Sequence, residues 1–456
     1  MKLNVLFVIL ALINLSVAAQ NKKTQTVQLF DGKSLQGWKQ LGGNAEYKIE
    51  GDAVVGITVP NTPNSFLVTE QEYGDFILEL EVRIIDTTSN SGIQFRSHFD
   101  PKANNGAGRV VGYQFELDPS SRRWTGGLYD EGRRDWLYPM MLNASGQYAY
   151  KHGEYNHLKL ECIGNEIKTW VNGFPAAYIV DTVDHQGFIA LQVHSIGNNT
   201  ALAGKKIYWK NIKITTGAIK PASFPKTVYV KNFIPNYLTD FEKKAGWKLL
   251  FDGNTNKGWV GAYKNIFPLT GWEIRKGELT VLPSSGGESA NGGDIVTTEQ
   301  YSFFDLSFEF KLTPGANSGV KYFVTLSEGN TGSAIGLEYQ LLDDSLHEDA
   351  KAGRDGNRTL ASLYDLIKAK KEKRFIHQPG EWNSGRIVVF PDNHVEHYLN
   401  GIKVLEYERG SKEYRDLVAI SKYKGWSNFG EAKQGRILIQ DHGNWVSFRS
   451  IKIRKL

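Results

Sequence analysis

The sequence predicts an all-β protein built from two tandem sandwich domains. Three observations lead there. The same motifs occur twice in the same order. Short alternating strand patterns fill nearly all of each copy. Glycine (47 residues) and aromatics (12%) are plentiful, as suits many strands joined by tight turns. A chain of 456 residues should hold two or three domains. Two sheets packed face to face, a sandwich or jelly roll, is the default for so many short strands.

The repeat opens at Leu29-Phe30-Asp31-Gly32, reaching Trp38, and again at Leu250-Phe251-Asp252-Gly253, reaching Trp259. Asp-Gly makes a turn in which glycine takes a positive φ. The tryptophan that follows is expected to pack under the sheet. Tyr47 to Gly51 then matches Trp272 to Gly277, Leu67-Val68-Thr69 matches Ile295-Val296-Thr297, and Glu81-Val82-Arg83 matches Glu309-Phe310-Lys311. Asn90-Ser91-Gly92 matches Asn317-Ser318-Gly319, and Leu128-Tyr129-Asp130 matches Leu363-Tyr364-Asp365. Gly153 to Asn156 matches Gly380 to Asn383, and the Asn-Gly turn at Asn172-Gly173 matches Asn400-Gly401. Leu191-Gln192-Val193-His194 and Ile439-Gln440-Asp441-His442 close the two copies. Between them, Pro221, Pro225 and Pro235 suggest an extended linker, and Thr239-Asp240-Phe241-Glu242 has capping-box spacing for a short helix.

Residues 1–19 read as a secretory signal: Lys2, an apolar run from Leu3 to Leu15, then small residues to Ala19. No cysteine follows the run, so a lipid anchor is not expected, and no later stretch is long and apolar enough to span a bilayer. The mature chain is expected to be exported, to the periplasm or beyond. A net charge of +5 is small for this length and does not suggest nucleic-acid binding; Lys368 to Arg374 reads as a solvated loop. The single cysteine, Cys162, lies in an apolar strand and reads as core.

Side chains two apart on a strand share a face. That parity groups Gln94, Arg96 and His98; Gln114, Glu116 and Asp118; Trp170 and Asn172; and Gln192 and His194. The second copy offers Lys321; Glu338 and Gln340; Tyr398 and Asn400; and Gln440 and His442. Such groups could be the wet side of an antiparallel sheet. Repeated Gln, His, Asn, Trp and Arg instead suit a sugar-binding basin, where amides and charges bond hydroxyls and an aromatic stacks on the ring. Glu116 and Glu338 are the best candidate carboxylates for proton transfer, with His194 and His442 as imidazoles. His347-Glu348-Asp349 makes a divalent ion possible. The GxSxG, HExxH and P-loop signatures are absent, and so is a two-carboxylate glycosidase pattern.

As a set, the two LFDG…GW openings, the Asn-Ser-Gly turns, Glu338 to Asp343, Leu363-Tyr364-Asp365, Pro379 to Asn383, His397 to Gly401 and Gln440 to Gly443 resemble the 3-keto-disaccharide hydrolase domain, also called domain of unknown function 1080. The second copy is the closer match. The resemblance implies two concanavalin A-like jelly rolls, at 25–216 and 246–456, with 217–245 as linker. It implies cleavage of glycosides carrying a ketone at C3, through C2 proton removal and loss of the C1 oxygen. Glu338 or His442 would be the base. Lys321, Gln340 or a metal would stabilise the enolate, and Tyr364 or His397 would assist the leaving oxygen. Asn400 and Gln440 would bind substrate. In the first copy Glu116, His194, Arg96 and His98 would serve similarly, with Gln94, Gln114, Trp170 and Gln192 contacting sugar. A separate sugar 3-dehydrogenase would have to make the ketone, since this chain has no dinucleotide fingerprint. A non-catalytic, lectin-like pair of modules is the alternative, because fold does not fix function; a scaffold role is a third.

Overall fold

The computed structural model describes residues 23–284, 287–327 and 334–456. The signal-like segment at 1–19 lies outside them. The rest folds as two jelly-roll sandwiches. The first pairs a seven-stranded sheet with a nine-stranded one, and the second pairs a five-stranded sheet with an eight-stranded one. In each, alternation drives one side of the strand into the gap between sheets. Phe76–Ile84 buries every second residue, and Phe304–Leu312 buries its apolar positions likewise. Cys162 lies in the first core, and burial pushes its thiol up to about 12.

The repeated openings have one geometry. Asp31 accepts from the amides of Lys33 and Ser34, and Asp252 from those of Asn254 and Thr255. Trp38 and Trp259 are both buried, and each indole N–H donates to the carbonyl nine residues back, Leu29 at 2.7 Å and Leu250 at 2.6 Å.

The connection between the sandwiches is not a free tether. Lys231–Asn232 joins the first domain's larger sheet as a parallel edge strand beside Phe174–Val180. Asp240–Lys244 is helical, with the Thr239–Glu242 capping box in place. Glu242 is fully buried and also takes Lys452 of the second domain at 2.7 Å. Tyr229 bonds Ser307 at 2.9 Å, and Lys231 bonds Ser384 at 2.6 Å. Val388, Tyr398 and Ile402 of the second domain pack into the first domain's core cluster. Through Tyr229, Lys231 and Glu242 the segment is therefore a clamp that ties the two domains together.

Candidate functional site

The outer face of the smaller sheet carries the candidate residues in each domain. In the second domain, Asn317–Val324 pairs with Leu337–Leu342, so that Lys321 stands directly across from Glu338 and Gly319 across from Gln340. On the other side, Val320 pairs with Ile439 and Ile295 with the same residue. That register puts Gln440 and Asp294 on the face that carries Lys321 and Glu338. Gly319 is required there: a Cβ would lie 2.4 Å from a Glu338 carboxylate oxygen. The Asn-Ser-Gly motif, expected as a turn, is the start of this strand, and its glycine makes room for the acid.

Charges are concentrated on this face. Lys321 is 5% exposed and lies 3.8 Å from Glu288 and 4.0 Å from Asp294. Burial pulls its pKa down, but Glu338, Asp294 and Glu288 outweigh that and hold the ammonium above its usual value. Burial raises Glu338 above the ordinary carboxylate range, with Lys321 and Lys422 opposing. Burial likewise lifts Asp294 to about 6. Gln440 donates to Glu288 at 2.7 Å, and Gln340 to Asn317 at 3.4 Å. The amide oxygens of Gln340 and Gln440 are buried with no partner among the described residues. Asn317 donates to His442 Nε2 at 3.1 Å, which requires that nitrogen to be unprotonated; burial lowers the pKa of this imidazole.

A further set of groups holds a cation within electrostatic reach of the acid. The Tyr364 amide donates to the Glu338 carbonyl, and its phenol donates to Asp349 at 2.8 Å. Arg358 bridges Asp349 and Asp365, and Asp365 accepts from the backbone amide of Lys422 at 2.7 Å. The Lys422 ammonium sits 4.2 Å above the Tyr364 ring. One side of Lys422 reaches solvent; protein packed around the other lowers its pKa, against the pull of Glu338. Tyr364 thus directs its phenol proton to Asp349 and its ring face to Lys422.

Other expectations are corrected. His397 is not on this face. It lies between the sheets, accepting from Tyr322 at 2.8 Å and meeting the Ala361 carbonyl at 3.2 Å, and burial lowers it to about 4. It props the turn at Ala361 that leads to Tyr364. Asn400 is a turn residue at φ 50° whose amide bonds Phe375 and Asn383. The His347-Glu348-Asp349 run does not gather a ligand set. The rings of His347 and His442 are 6.0 Å apart, but Asp349 is committed to Arg358 and Tyr364. His394, Glu396 and Glu406 do cluster, on a strand pair of the larger sheet, where Lys403 bonds both carboxylates.

The first domain has the same register with different chemistry. Gln94 stands across from Gln114, and Gly92 across from Glu116. Gln94 donates to Gln114 at 2.6 Å, and Gln114 donates to Glu116 at 2.9 Å. Asn90 donates to Glu116 at 2.8 Å, with the Arg122 guanidinium 3.7 Å away. Burial raises Glu116 to about 7. Gln192 is buried beside them, and neither end of its amide has a partner among the described residues. Trp124 and Trp136 flank Arg122 at 4.4 and 4.9 Å.

Four first-domain candidates lie elsewhere. Strand parity fails at Arg96, a bulge with φ 45° across which the pairing register shifts. Arg96 is buried and clamps the carbonyls of Gly74 and Gly164 and the carboxylate of Asp75. His98, beyond the bulge, pairs with Asp184. His194 is exposed and bonds the Ser195 carbonyl. Trp170 belongs to the larger sheet and packs against Phe224 of the connecting segment.

The residues that sequence reasoning missed are Asp294, Glu288, Lys422 and Tyr423. Asp294 directly precedes the matched Ile295-Val296-Thr297, in the place where the first copy has Phe66. Lys422 and Tyr423 fall in a stretch where the two copies differ in length. Gly401 to Gln440 is twenty residues longer than Gly173 to Gln192, and that mismatch was the readable signal.

Comparison with known proteins agrees with the duplication of the chain. A family model described as a 3-keto-alpha-glucoside-1,2-lyase-like domain matches residues 25–215 and again 246–454. A protein of Bacteroides thetaiotaomicron named 3-keto-disaccharide hydrolase is 36% identical over 234 residues, covering 46% of this chain and 79% of its own length. Two crystal structures from Parabacteroides distasonis ATCC 8503, each called a "putative glycosyl hydrolase", are also similar. One is 30% identical, covering 49% of this chain and 99% of its own, with a TM-score of 0.42; the other is 27% identical, covering 46% and 99%, with a TM-score of 0.35.

Proposed function

Since the chain belongs, through both halves, to the 3-keto-alpha-glucoside-1,2-lyase-like family of carbohydrate hydrolases, we propose that its second domain cleaves the glycosidic bond of 3-keto-glycosides. The observation that carries this reading is the buried Lys321–Glu338 pair standing across one strand junction, with Lys422 held nearby.

A ketone at C3 makes the C2 hydrogen acidic. Glu338, with its proton affinity raised by burial, is suited to take that proton. The electron pair moves onto the C3 oxygen, where the buried ammonium of Lys321 stabilises the enolate, with Lys422 adding charge from the solvent side. The enolate then collapses to a C1–C2 double bond and breaks the bond from C1 to the glycosidic oxygen. The proton gained by Glu338 balances the one needed by that oxygen. Water adds across the double bond, OH to C1 and H to C2, to give the free 3-keto sugar. The unpartnered oxygens of Gln340 and Gln440 suit sugar hydroxyls as donors.

In the first domain, Gln94 and Gln114 replace the charged pair. The remaining acid, Glu116, is held by Asn90 and Gln114 with Arg122 3.7 Å away, and a carboxylate so engaged beside neutral amides supports a binding role there. On this reading a separate sugar 3-dehydrogenase supplies the ketone, and the signal-like sequence at residues 1–19 supports a reaction outside the cytoplasm.

The test is incubation of the purified chain with a 3-keto-disaccharide and its unoxidised parent, followed by mass. Cleavage of the keto form alone supports the reading. Binding of both with cleavage of neither would leave a lectin-like protein.

A further inference from the structure

The extra stretch in the second domain forms the helix Lys412–Ala419 and a loop running on to Lys433. In the first domain the matching connection is short and tied down, with Asp181 bonding Arg134 and Asp184 bonding Arg133. The longer loop first delivers Lys422 and Tyr423 beside Glu338. It then forms one wall of a cleft of about 530 Å³.

The opposite wall includes Gly336, two residues before Glu338 on the same segment, and Thr325, just past the strand of Lys321. Gly336 keeps this junction open. A Cβ there would lie 2.6 Å from Val324 and 3.5 Å from the Lys321 side chain. Gly336 thus puts the edge of the cleft two residues along the segment from Glu338.

The loop wall is braced from behind. Arg409 donates to the carbonyls of Gly430 and Ala432, Arg415 pairs with Glu431, and the rings of Tyr423 and Phe429 stack 3.9 Å apart. On this wall Trp426 is 36% exposed, beside Asn428 and Lys433. A flat apolar ring left in water beside hydrogen-bonding groups matches a sugar, which has an apolar ring face and a rim of hydroxyls.

We propose that this cleft is the leaving-group subsite: it binds the sugar attached through the C1 oxygen, with Trp426 stacked on that sugar. The proposal rests on the reaction assigned to Lys321 and Glu338. Binding energy from this remote sugar is then available to hold the reacting ring against Glu338, so truncated substrates should react less efficiently.

The test compares wild type, W426A, W426F and K433A on two substrates that share one keto sugar: a 3-keto-disaccharide and the corresponding methyl 3-keto-glycoside. The wild type should favour the disaccharide. W426A should lower kcat/KM for the disaccharide about tenfold and leave the methyl glycoside within about twofold. W426F should recover most of the loss, and K433A should shift the same ratio by a smaller factor. Retained turnover of the methyl glycoside shows that each variant is folded. Equal losses on both substrates, or no loss on either, would overturn the subsite while leaving the reaction intact. A wild type that cleaves neither substrate would remove the reaction and the subsite together.

Discussion

The two smaller sheets of this protein share one backbone register and differ in charge. Across the same strand junction the second domain sets Lys321 against Glu338, and the first sets Gln94 against Gln114. Beside them Asp294 becomes Phe66, and the loop carrying Lys422 is absent. Each amide relay in the first domain ends on Glu116, and its members satisfy one another. The difference separates two things that a shared fold combines. Both faces keep a buried glutamine with an unpartnered amide oxygen, Gln192 and Gln440, suited to hydroxyls. The second alone sets an ammonium directly across the strand junction from a carboxylate; in the first, Glu116 meets the Arg122 guanidinium at 3.7 Å instead.

The largest expected break in this comparison comes from the acids. E338Q should lower kcat on a 3-keto-disaccharide by about 10³-fold, whereas E116Q should leave it within about twofold; steady-state assays of the two variants decide it. Removing the facing charge in K321M should cost roughly 10²-fold, seen as a fall in kcat with little change in KM if Lys321 acts on the enolate.

The glycines sharpen the comparison further. G319A forces Glu338 to move and should cut kcat by roughly ten- to a hundredfold. G92A crowds Gln114, where a Cβ would lie 2.4 Å from the side chain. It should lower the first domain's melting temperature and leave cleavage unchanged. Activity and thermal denaturation measured on both variants separate these outcomes.

Titration gives the smaller effects. Glu338 must be ionised to act as base, so kcat/KM should fall as pH drops through a pKa above the ordinary carboxylate range. In the first domain, Glu116 has a folded pKa of about 7 against 4.5 in the open chain. The folded form binds more protons in that window. Stability from this group is therefore full below pH 4.5 and declines as pH rises to 7, by about 3 kcal/mol at most. Chemical denaturation across that range should show the slope in the wild type and lose it in E116A.

Much of this was legible in the sequence because it depends on local rules. The duplication, the turn chemistry at Asp31 and Asp252, the buried Trp38 and Trp259, and the pairing of Lys321, Glu338, Gln340 and Gln440 follow from motif order and strand parity. Parity failed where the backbone broke it. The bulge at Arg96 turned that side chain into a clamp and sent His98 to Asp184. Parity also cannot tell which of two sheets a strand joins, so it groups Trp170, Tyr398 and Asn400 with a face they do not share, while His397 enters only through the resemblance. Lys422 was invisible for a different reason: it comes from a long insertion, and only the fold brings it beside Glu338.

The most direct test is cleavage of a 3-keto-disaccharide in D₂O by wild type, E116Q and E338Q, with deuterium at C2 of the released keto sugar read by mass and corrected for enzyme-free exchange. Proton removal by the second domain predicts deuterium at C2 with wild type and E116Q, and neither cleavage nor deuterium above control with E338Q. Cleavage without deuterium at C2, or full activity in E338Q with loss in E116Q, would contradict it.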